Sequence, residues 1–251
     1  MEKTDDVRVE CSGDLASLVR RPGGGIARYT LERRASVKDV LEALGVPHTE
    51  VYGIKVDGGT VDFGHVLEPG QIVRAEPAAP PVDVTVPTPL RPRALPGLRF
   101  LVDENVAKLA PLLRALGFDA VHDRRSGDAR IARLAADEGR VVLSRDRALL
   151  KRSAITWGRL IRAAMPLEQL VEVLDLFGAR KAPAPFSRCL RCNAELAAVD
   201  KREVLHRLEP KTRLYYDEFR LCPVCRRIYW RGSHQEHMRG SLLRAGVILA
   251  D

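Results

Sequence analysis

Seven of the sixteen prolines in this 251-residue chain crowd into one stretch, PAAPPVDVTVPTPLRPRALP, between Pro77 and Pro96. Proline has no amide donor and holds φ at about −65°, so such a stretch can be neither helix nor central strand. It is expected to run extended and semi-rigid, and to separate the segment before it from the segment after it. A shorter break lies at Lys181-Ala-Pro-Ala-Pro185. The length suits two or three small domains. The expected organisation is a domain over residues 1–80, a proline-rich linker over 81–97, a second domain over 98–182 and a terminal segment over 183–251.

Apolar residues make up 45% of the chain, enough for ordinary cores. The longest apolar runs fall far short of the ~18–20 residues of a membrane span. MEKTDDVRVE at the start has no signal-peptide core. The expectation is a soluble, cytoplasmic protein with no membrane role. The net charge of +8 is uneven: residues 1–82 carry −3, residues 83–180 carry +5 and residues 181–251 carry +6. Most of the excess is arginine, which forks onto phosphate oxygens. A polyanion partner for the back two-thirds is one reading, and a merely solvated basic surface is the other.

In the first segment VRVEC (7–11) and ARYTL (27–31) alternate like strands. SVKDVLEALG (36–45) has Ser36 as a helix N-cap, Val40, Leu41 and Leu44 as an apolar stripe, and Gly45 as a stop. VYGIKVDG and QIVRAEP return to strand, with Asp57-Gly58-Gly59 as turn chemistry. Gly23-Gly24-Gly25 leads into a strand rather than a helix, which argues against a phosphate loop. The order β-β-α-β-β resembles the ubiquitin-like β-grasp of small sulfur carriers. Those end in a free Gly-Gly, whereas here the chain continues into Ala75-Glu76-Pro77. The segment reads as an interaction or RNA-positioning module, dispensable for chemistry carried elsewhere.

The middle segment alternates strand and helix. RFLV (99–102), FDAV (118–121), RVVL (140–143) and AITW (154–157) are the expected strands. ENVAKLAPLLRALG, DARIARLAADEG, ALLKR and MPLEQLVEVLDLFG supply the helices, the first with Val106, Leu109, Leu112, Leu113 and Leu116 at helical spacing. Such alternation implies an α/β fold with a parallel sheet and right-handed crossovers. Ligands of these sheets gather beyond the carboxyl ends of the strands.

That rule gives three aspartates their interest. Asp103 directly follows FLV, Asp146 lies three residues after Leu143, and Asp128 opens a helix that can approach the same rim. Glu104 and Asp123 are neighbouring candidates, Glu104 as a catalytic accessory. Clustered carboxylates repel unless a cation compensates them, and hard oxygen ligands suit Mg²⁺ or Mn²⁺. A cation held there fits phosphodiester hydrolysis. Aspartates at strand ends and N-caps also serve purely local roles. A phospho-receiver site fits less well, because AITW is followed by Gly158-Arg159 with no lysine. A haloacid-dehalogenase site wants Asp-x-Asp where this chain has Asp103-Glu104-Asn105.

The five cysteines are not arranged as a disulfide framework. Cys189-Leu-Arg-Cys192 and Cys222-Pro-Val-Cys225 form two C-x-x-C pairs separated by 29 residues, and Cys11 stands alone. Two such knuckles close a tetrahedral thiolate site around Zn²⁺, structural because four protein ligands leave no open position. After the second pair, Arg226, Arg227, Tyr229, Trp230 and Arg231 interleave basic and aromatic side chains, as phosphate contact with base stacking requires. A hairpin strand with half-buried aromatics has the same pattern. Ser233-His-Gln-Glu236 reads as a capping box for a final helix.

FLVDENVAKLAPLLRALGFDA, GDARIARLAADEGRVVLSRD and the cysteine segment together resemble the Mut-seven C-terminal RNase family of PIN-like domains. The resemblance covers roughly residues 97–245, and VKDVLEALGVPHTEVYGIKVDG matches the ubiquitin-like domain that accompanies bacterial members. It implies a PIN-like nuclease domain, an N-terminal β-grasp domain and a C-terminal zinc ribbon. It also implies metal-dependent cleavage of RNA (tRNA, rRNA or a ribosome-associated RNA), with Asp103, Asp128 and Asp146 in the catalytic positions. Glu104-Asn105-Val106 departs from the bulkier apolar residues expected there and matches a related PIN-like group instead. Two functions stay in view, a metal-dependent ribonuclease and a non-catalytic RNA- or ribosome-binding adaptor on the same scaffold. The acidic trio favours the enzyme.

Overall fold

A computed structural model describes residues 6–20, 24–124 and 127–249, so Gly23 of the glycine run lies outside the described residues. The first domain contains strands β1 (Asp6–Cys11) and β2 (Ile26–Thr30), helix α1 (Val37–Ala43), and strands β3 (Val51–Val56), β4 (Gly59–Thr60) and β5 (Ile72–Pro77). The sheet order is β2-β1-β5-β3-β4, with β1 and β5 parallel and the other pairs antiparallel. This is the expected β-grasp. Ser36 starts α1 through a complete capping box, its hydroxyl accepting from Asp39 N (3.2 Å) while Asp39 accepts from Ser36 N (3.0 Å). Gly25 turns the chain into β2 at φ +90°, where a Cβ would lie 2.4 Å from the Cys11 carbonyl. Cys11 is buried, and burial pushes its thiol up to about 11, which disfavours the thiolate.

The second domain begins with β6 (Phe100–Val102), then α2 (Leu109–Ala115), β7 (Ala120–Val121), α3 (Asp128–Glu138), β8 (Val141–Ser144), α4 (Arg147–Leu150), β9 (Gly158–Leu160) and α5 (Pro166–Leu176). Its sheet is wholly parallel in the order β7-β6-β8-β9. Alternation along the strands separates two faces. Phe100, Val102, Val141 and Leu143 pack with Leu109, Leu113, Leu170 and Val173 of α2 and α5. Leu101 and Val142 turn the other way, towards Ile131, Ala132, Leu149 and Leu150 of α3 and α4. The last strand is displaced from its expected place. β9 is Gly158–Leu160, and the backbone carbonyls of Ile155 and Thr156 in AITW are instead spent on His48 Nε2 (2.8 Å) and Arg91 Nε (3.2 Å).

The first domain is not a detachable module. Val7, Leu41 and Ile54 of the β-grasp share one continuous apolar core with Leu101, Val142, Leu149, Leu150, Ile155 and Leu160 of the parallel-sheet domain. Removing residues before about 92 would expose that core, which argues against the dispensability expected from sequence. Within the seam Glu50 is buried and pairs with Arg159 (3.1 Å) and Arg162 (3.0 Å), while Leu160 N donates to its other oxygen (2.8 Å). Burial pushes the Glu50 carboxyl up in pKa, and the two guanidiniums draw it back.

Beyond β5 the proline-rich stretch forms neither helix nor sheet strand, as its prolines require, but instead of running extended it doubles back through turns at 84–85 and 89–90 and lies fastened against both domains. Val82 N donates to Leu176 O (2.7 Å) and Leu95 N to Val84 O (2.8 Å). Arg91 is 1% exposed. Its guanidinium donates to the carbonyls of Thr49 (2.9 Å), Val51 (3.0 Å) and Thr156 (3.2 Å), and lies 4.2 Å over the Tyr52 ring and 4.9 Å from the Trp157 ring. A buried cation without a carboxylate survives only with such full hydrogen bonding and π contact.

The third unit continues with β10 (Ala197–Val199), α6 (Lys201–Val204), α7 (Pro210–Tyr215), β11 (Phe219–Leu221), β12 (Ile228–Tyr229) and α8 (Ser233–Arg244). Strands β10-β11-β12 form a small antiparallel sheet, and Leu242 of α8 packs into the α2–α5 core. The final helix starts at Ser233 as expected, but its N-cap is Gly232 with no side-chain cap. Glu236 pairs with Arg231 (2.8 Å) rather than closing a capping box.

Arg91→Ala strands at least two buried carbonyls, so it is expected to destabilise the protein by about 3 kcal/mol. Urea unfolding monitored by Trp157 fluorescence measures this. A loss below about 1 kcal/mol, the worth of one ordinary hydrogen bond, would mean that the strap is not a fastener.

Candidate active site and metal centre

The carboxyl ends of β6 and β8 are adjacent because Val102 pairs with Leu143 and Asp103 N donates to Leu143 O (3.0 Å). That register brings residues 103–105 against 144–146. Ser144 is fully buried, and its hydroxyl donates to Asp103 Oδ2 (2.6 Å) while accepting from Asp146 N (2.8 Å) and Asn105 Nδ2 (3.3 Å). Asn105 also donates to Asp103 Oδ2 (2.7 Å) and accepts from Arg145 N (3.0 Å). Asp103 is thus held by three donors, counting Glu104 N at 2.7 Å. Asp146 spends one oxygen on Ala148 N (2.7 Å), the N-cap of α4.

The Asp103 carboxylate and the backbone N of Asp146 therefore share one hydroxyl, which sets the two residues side by side, whereas Asp128 is not drawn into this cluster. It stands at the first turn of α3 and meets Arg152 at 3.6 Å. Glu104 points along the rim to His122 just beyond β7, with Nε2 and Oε2 2.8 Å apart. Asp123 faces Arg130 at 3.4 Å. Among the described residues these acids do not converge as the four cysteines do. Ser144 and Asn105 are engaged within the cluster, so the ligand atoms left at its edge are carboxylate oxygens, and Asp103 and Asp146 each retain acceptor capacity. Such a set fits Mg²⁺ or Mn²⁺, which keep several waters and need few direct protein ligands. Sequence reading overlooked Ser144, Asn105 and His122 as members. Their spacing, two residues from Asp146 and Asp103 and directly after a strand, was the available signal.

The four cysteine sulfurs of Cys189, Cys192, Cys222 and Cys225 all lie within 4.8 Å of one another. The closest pairs are Cys189–Cys225 at 3.5 Å and Cys192–Cys222 at 3.4 Å. Tetrahedral zinc with bonds of about 2.3 Å needs sulfurs about 3.8 Å apart, so the cluster is compatible with a zinc ribbon. The two knuckles are built alike. Asn193 N donates to Cys189 O (2.9 Å) and Arg226 N to Cys222 O (3.0 Å), while Cys189 N and Cys222 N donate to Ala194 O and Arg227 O. Asn193 and Arg226 close the turns in left-handed backbone, at φ 71° and 60°. Burial resists ionisation of Cys189, but hydrogen bonds from the Tyr229 hydroxyl and the backbone of Cys192 and Arg191 prevail and bring it down to about 6. Burial pushes Cys192 up to about 12 and Cys225 upward as well.

The first knuckle is bolted to the parallel sheet. Buried Arg114 of α2 donates to the carbonyls of Leu190 (2.9 Å), Arg191 (2.9 Å) and Ala120 (2.8 Å). Asn193 accepts from Ala120 N (3.0 Å) and donates to Asp119 (2.6 Å), which also forks onto Arg140. Desolvation opposes ionisation of Asp119, yet hydrogen bonds from Arg140 and Asn193 outweigh it and hold its carboxyl below 3.8.

Of the residues expected to touch nucleic acid, Tyr229 is engaged elsewhere. Its hydroxyl donates to Cys189 Sγ (3.1 Å) and accepts from Leu190 N (3.2 Å). Trp230 packs on Phe219 with centroids 6.3 Å apart and lines a shallow groove of about 290 Å³ with Arg207, Glu209 and Arg227. Arg226, Arg227 and Arg231 are exposed.

Residues 98–242 match the family model described as the Mut7-C RNAse domain, and residues 6–83 match that of the Mut7-C ubiquitin domain. No curated protein and no solved structure matches the chain.

Purified, reduced protein is expected to carry about one zinc per chain, and Cys222→Ser to lose it together with amide-exchange protection over residues 186–245. Elemental analysis without zinc would defeat this. Because Asp119 is held below its ordinary 3.8, the stability it lends is fully present above that value. It is lost as pH falls through the lower folded value. Asp119→Asn should therefore flatten the acid limb of the melting-temperature profile below about pH 4. An unchanged acid limb would remove Asp119 from the clamp.

Proposed function

The chain belongs to the Mut7-C family, with both its RNase and its ubiquitin-like domain, and from that premise we propose that it is a metal-dependent ribonuclease hydrolysing RNA phosphodiester bonds. The observation that carries this reading is that the Ser144 hydroxyl holds both the Asp103 carboxylate and the backbone N of Asp146, which sets the two acids side by side at the carboxyl end of a parallel sheet. Open α/β sheets work at that edge.

Asp103 and Asp146 would hold Mg²⁺ or Mn²⁺, with Asp128 as a third acid close to the phosphate path. The cation supplies Lewis acidity towards water and the scissile phosphate. The remaining work belongs to the chain itself. Ser144 and Asn105 fix the rotamer of Asp103, and the N-cap bond to Ala148 fixes that of Asp146. Glu104, next to His122, is an accessory at the same rim. Arg226, Arg227 and Arg231, with the open flank of Trp230, would draw RNA onto the ribbon, where arginine contacts phosphate and the indole offers a stacking face. Zinc on Cys189, Cys192, Cys222 and Cys225 is structural in this account.

A non-catalytic RNA-binding adaptor is the second reading. It is favoured by the pairing of Asp128 with Arg152, away from the other two acids.

Asp146→Asn separates the two. Asparagine still caps α4, so folding and RNA binding should persist, while the cleavage rate in Mn²⁺ falls about a hundredfold or more. Wild-type cleavage abolished by EDTA and matched by this loss supports the enzyme. Wild-type rates in the variant would displace Asp146 from the site, and no cleavage of any RNA by wild type would leave the adaptor.

A further inference from the structure

The polar contacts that dock the ubiquitin-like domain land on one short segment of the nuclease domain, residues 147–162. Arg147 donates to Leu18 O (3.0 Å) and Lys151 to Glu42 O, both from α4 and its C-cap. Arg159, Leu160 and Arg162 converge on buried Glu50. This segment starts one residue after Asp146. It ends beside Ala163, whose carbonyl accepts from Arg145 (3.4 Å), the residue preceding Asp146. One end thus adjoins Asp146 in the chain, and the other, through Ala163, is bonded to its neighbour Arg145.

Asp146 is the N-cap of α4, so the direction of its carboxylate is tied to the direction of that helix. α4 has four residues, too few to be stable through its own hydrogen bonds. What orients it is burial of Leu149 and Leu150 in the core shared with the β-grasp, and the grip of the β-grasp on Arg147 and Lys151. On the far side, Glu50 holds β9 and its rim residue Arg162 in place. A ligand carboxylate of a weakly coordinated cation depends on such outer contacts for its alignment.

We propose that the ubiquitin-like domain is a working part of the nuclease site, with Glu50 and Arg147 as positioning residues that set Asp146 through α4 and β9. This rests on the reading of Asp146 as a ligand of Mg²⁺ or Mn²⁺.

The test uses full-length, zinc-loaded protein and measures Mn²⁺ binding by electron paramagnetic resonance beside RNA cleavage. Glu50→Gln keeps the size of the side chain and can still accept from Leu160 N, but removes the charge opposite two guanidiniums. Arg147→Gln removes the anchor of α4 from the other side of the seam. Each is expected to weaken Mn²⁺ binding about tenfold and to lower kcat while KM for RNA and zinc content stay unchanged. Lys55→Ala, on the outer β-grasp sheet, should change neither. A merely structural role would reduce the folded fraction without altering the Mn²⁺ affinity of what remains folded. Wild-type Mn²⁺ affinity in both folded variants overturns the proposal, and if Glu50→Gln does not fold, Arg147→Gln alone decides. Wild type that binds Mn²⁺ but cuts no RNA sinks the nuclease reading while the affinities still judge the proposal. Wild type that binds no Mn²⁺ sinks both.

Discussion

The buried guanidinium of Arg91 ties together chain from three places. It belongs to the proline-rich strap, its hydrogen bonds end on β-grasp carbonyls at Thr49 and Val51, and its remaining side faces Thr156 and Trp157 of the nuclease domain. A cation so buried costs free energy unless every donor is satisfied, and here carbonyls and aromatic faces do that without a carboxylate. The arrangement is demanding in geometry. The turn over 48–50, the strap and the approach to β9 must all be in place before any one of them is stable.

The same device recurs at the other end of the molecule. Arg114 ties the first cysteine knuckle to α2 and β7, and Arg140 forks onto Asp119 beneath it. These arginines bear on how the sequence is read. Residues 83–180 carry a net +5, yet Arg91, Arg114 and Arg140 are buried and Arg159 nearly so. A good part of the positive charge that suggested a polyanion partner is spent internally, on carbonyls and on carboxylates of the same chain. The ribbon keeps more of its arginines outside, and Arg226 and Arg227 are among them.

Local rules were legible wherever a local cause sufficed. The Ser36 N-cap, the β-grasp order, the strand–helix alternation and the paired cysteines arise from short-range chemistry that a window of ten residues contains. What was not legible is long-range. Nothing near His48 or Glu50 announces that their partners lie more than a hundred residues away at Ile155 and Leu160. AITW has the composition of a strand, but the carbonyls of Ile155 and Thr156 are taken by His48 and Arg91, so the strand begins at Gly158 instead. Proline content rightly excluded helix and central strand, but the stretch expected to run extended is turned back on itself by the Thr88–Arg91 and Val84–Leu95 bonds and packed against both domains. The placement of Asp103 and Asp146 beyond the ends of β6 and β8 was legible from the strand pattern alone. Ser144, which joins them, became visible only with the register of β6 against β8.

The shared core also bears on how the protein is born. Val7, Leu41 and Ile54 complete their packing with Leu149, Ile155 and Leu160, which are synthesised long after β5 has left the ribosome. At about 5–20 residues per second that interval is on the order of ten seconds. For that time the nascent β-grasp carries an uncovered apolar flank, trailed by a strap that has nothing yet to fasten to. The order in which the segments emerge is therefore not the order in which they become stable, and the first domain made is finished by the second.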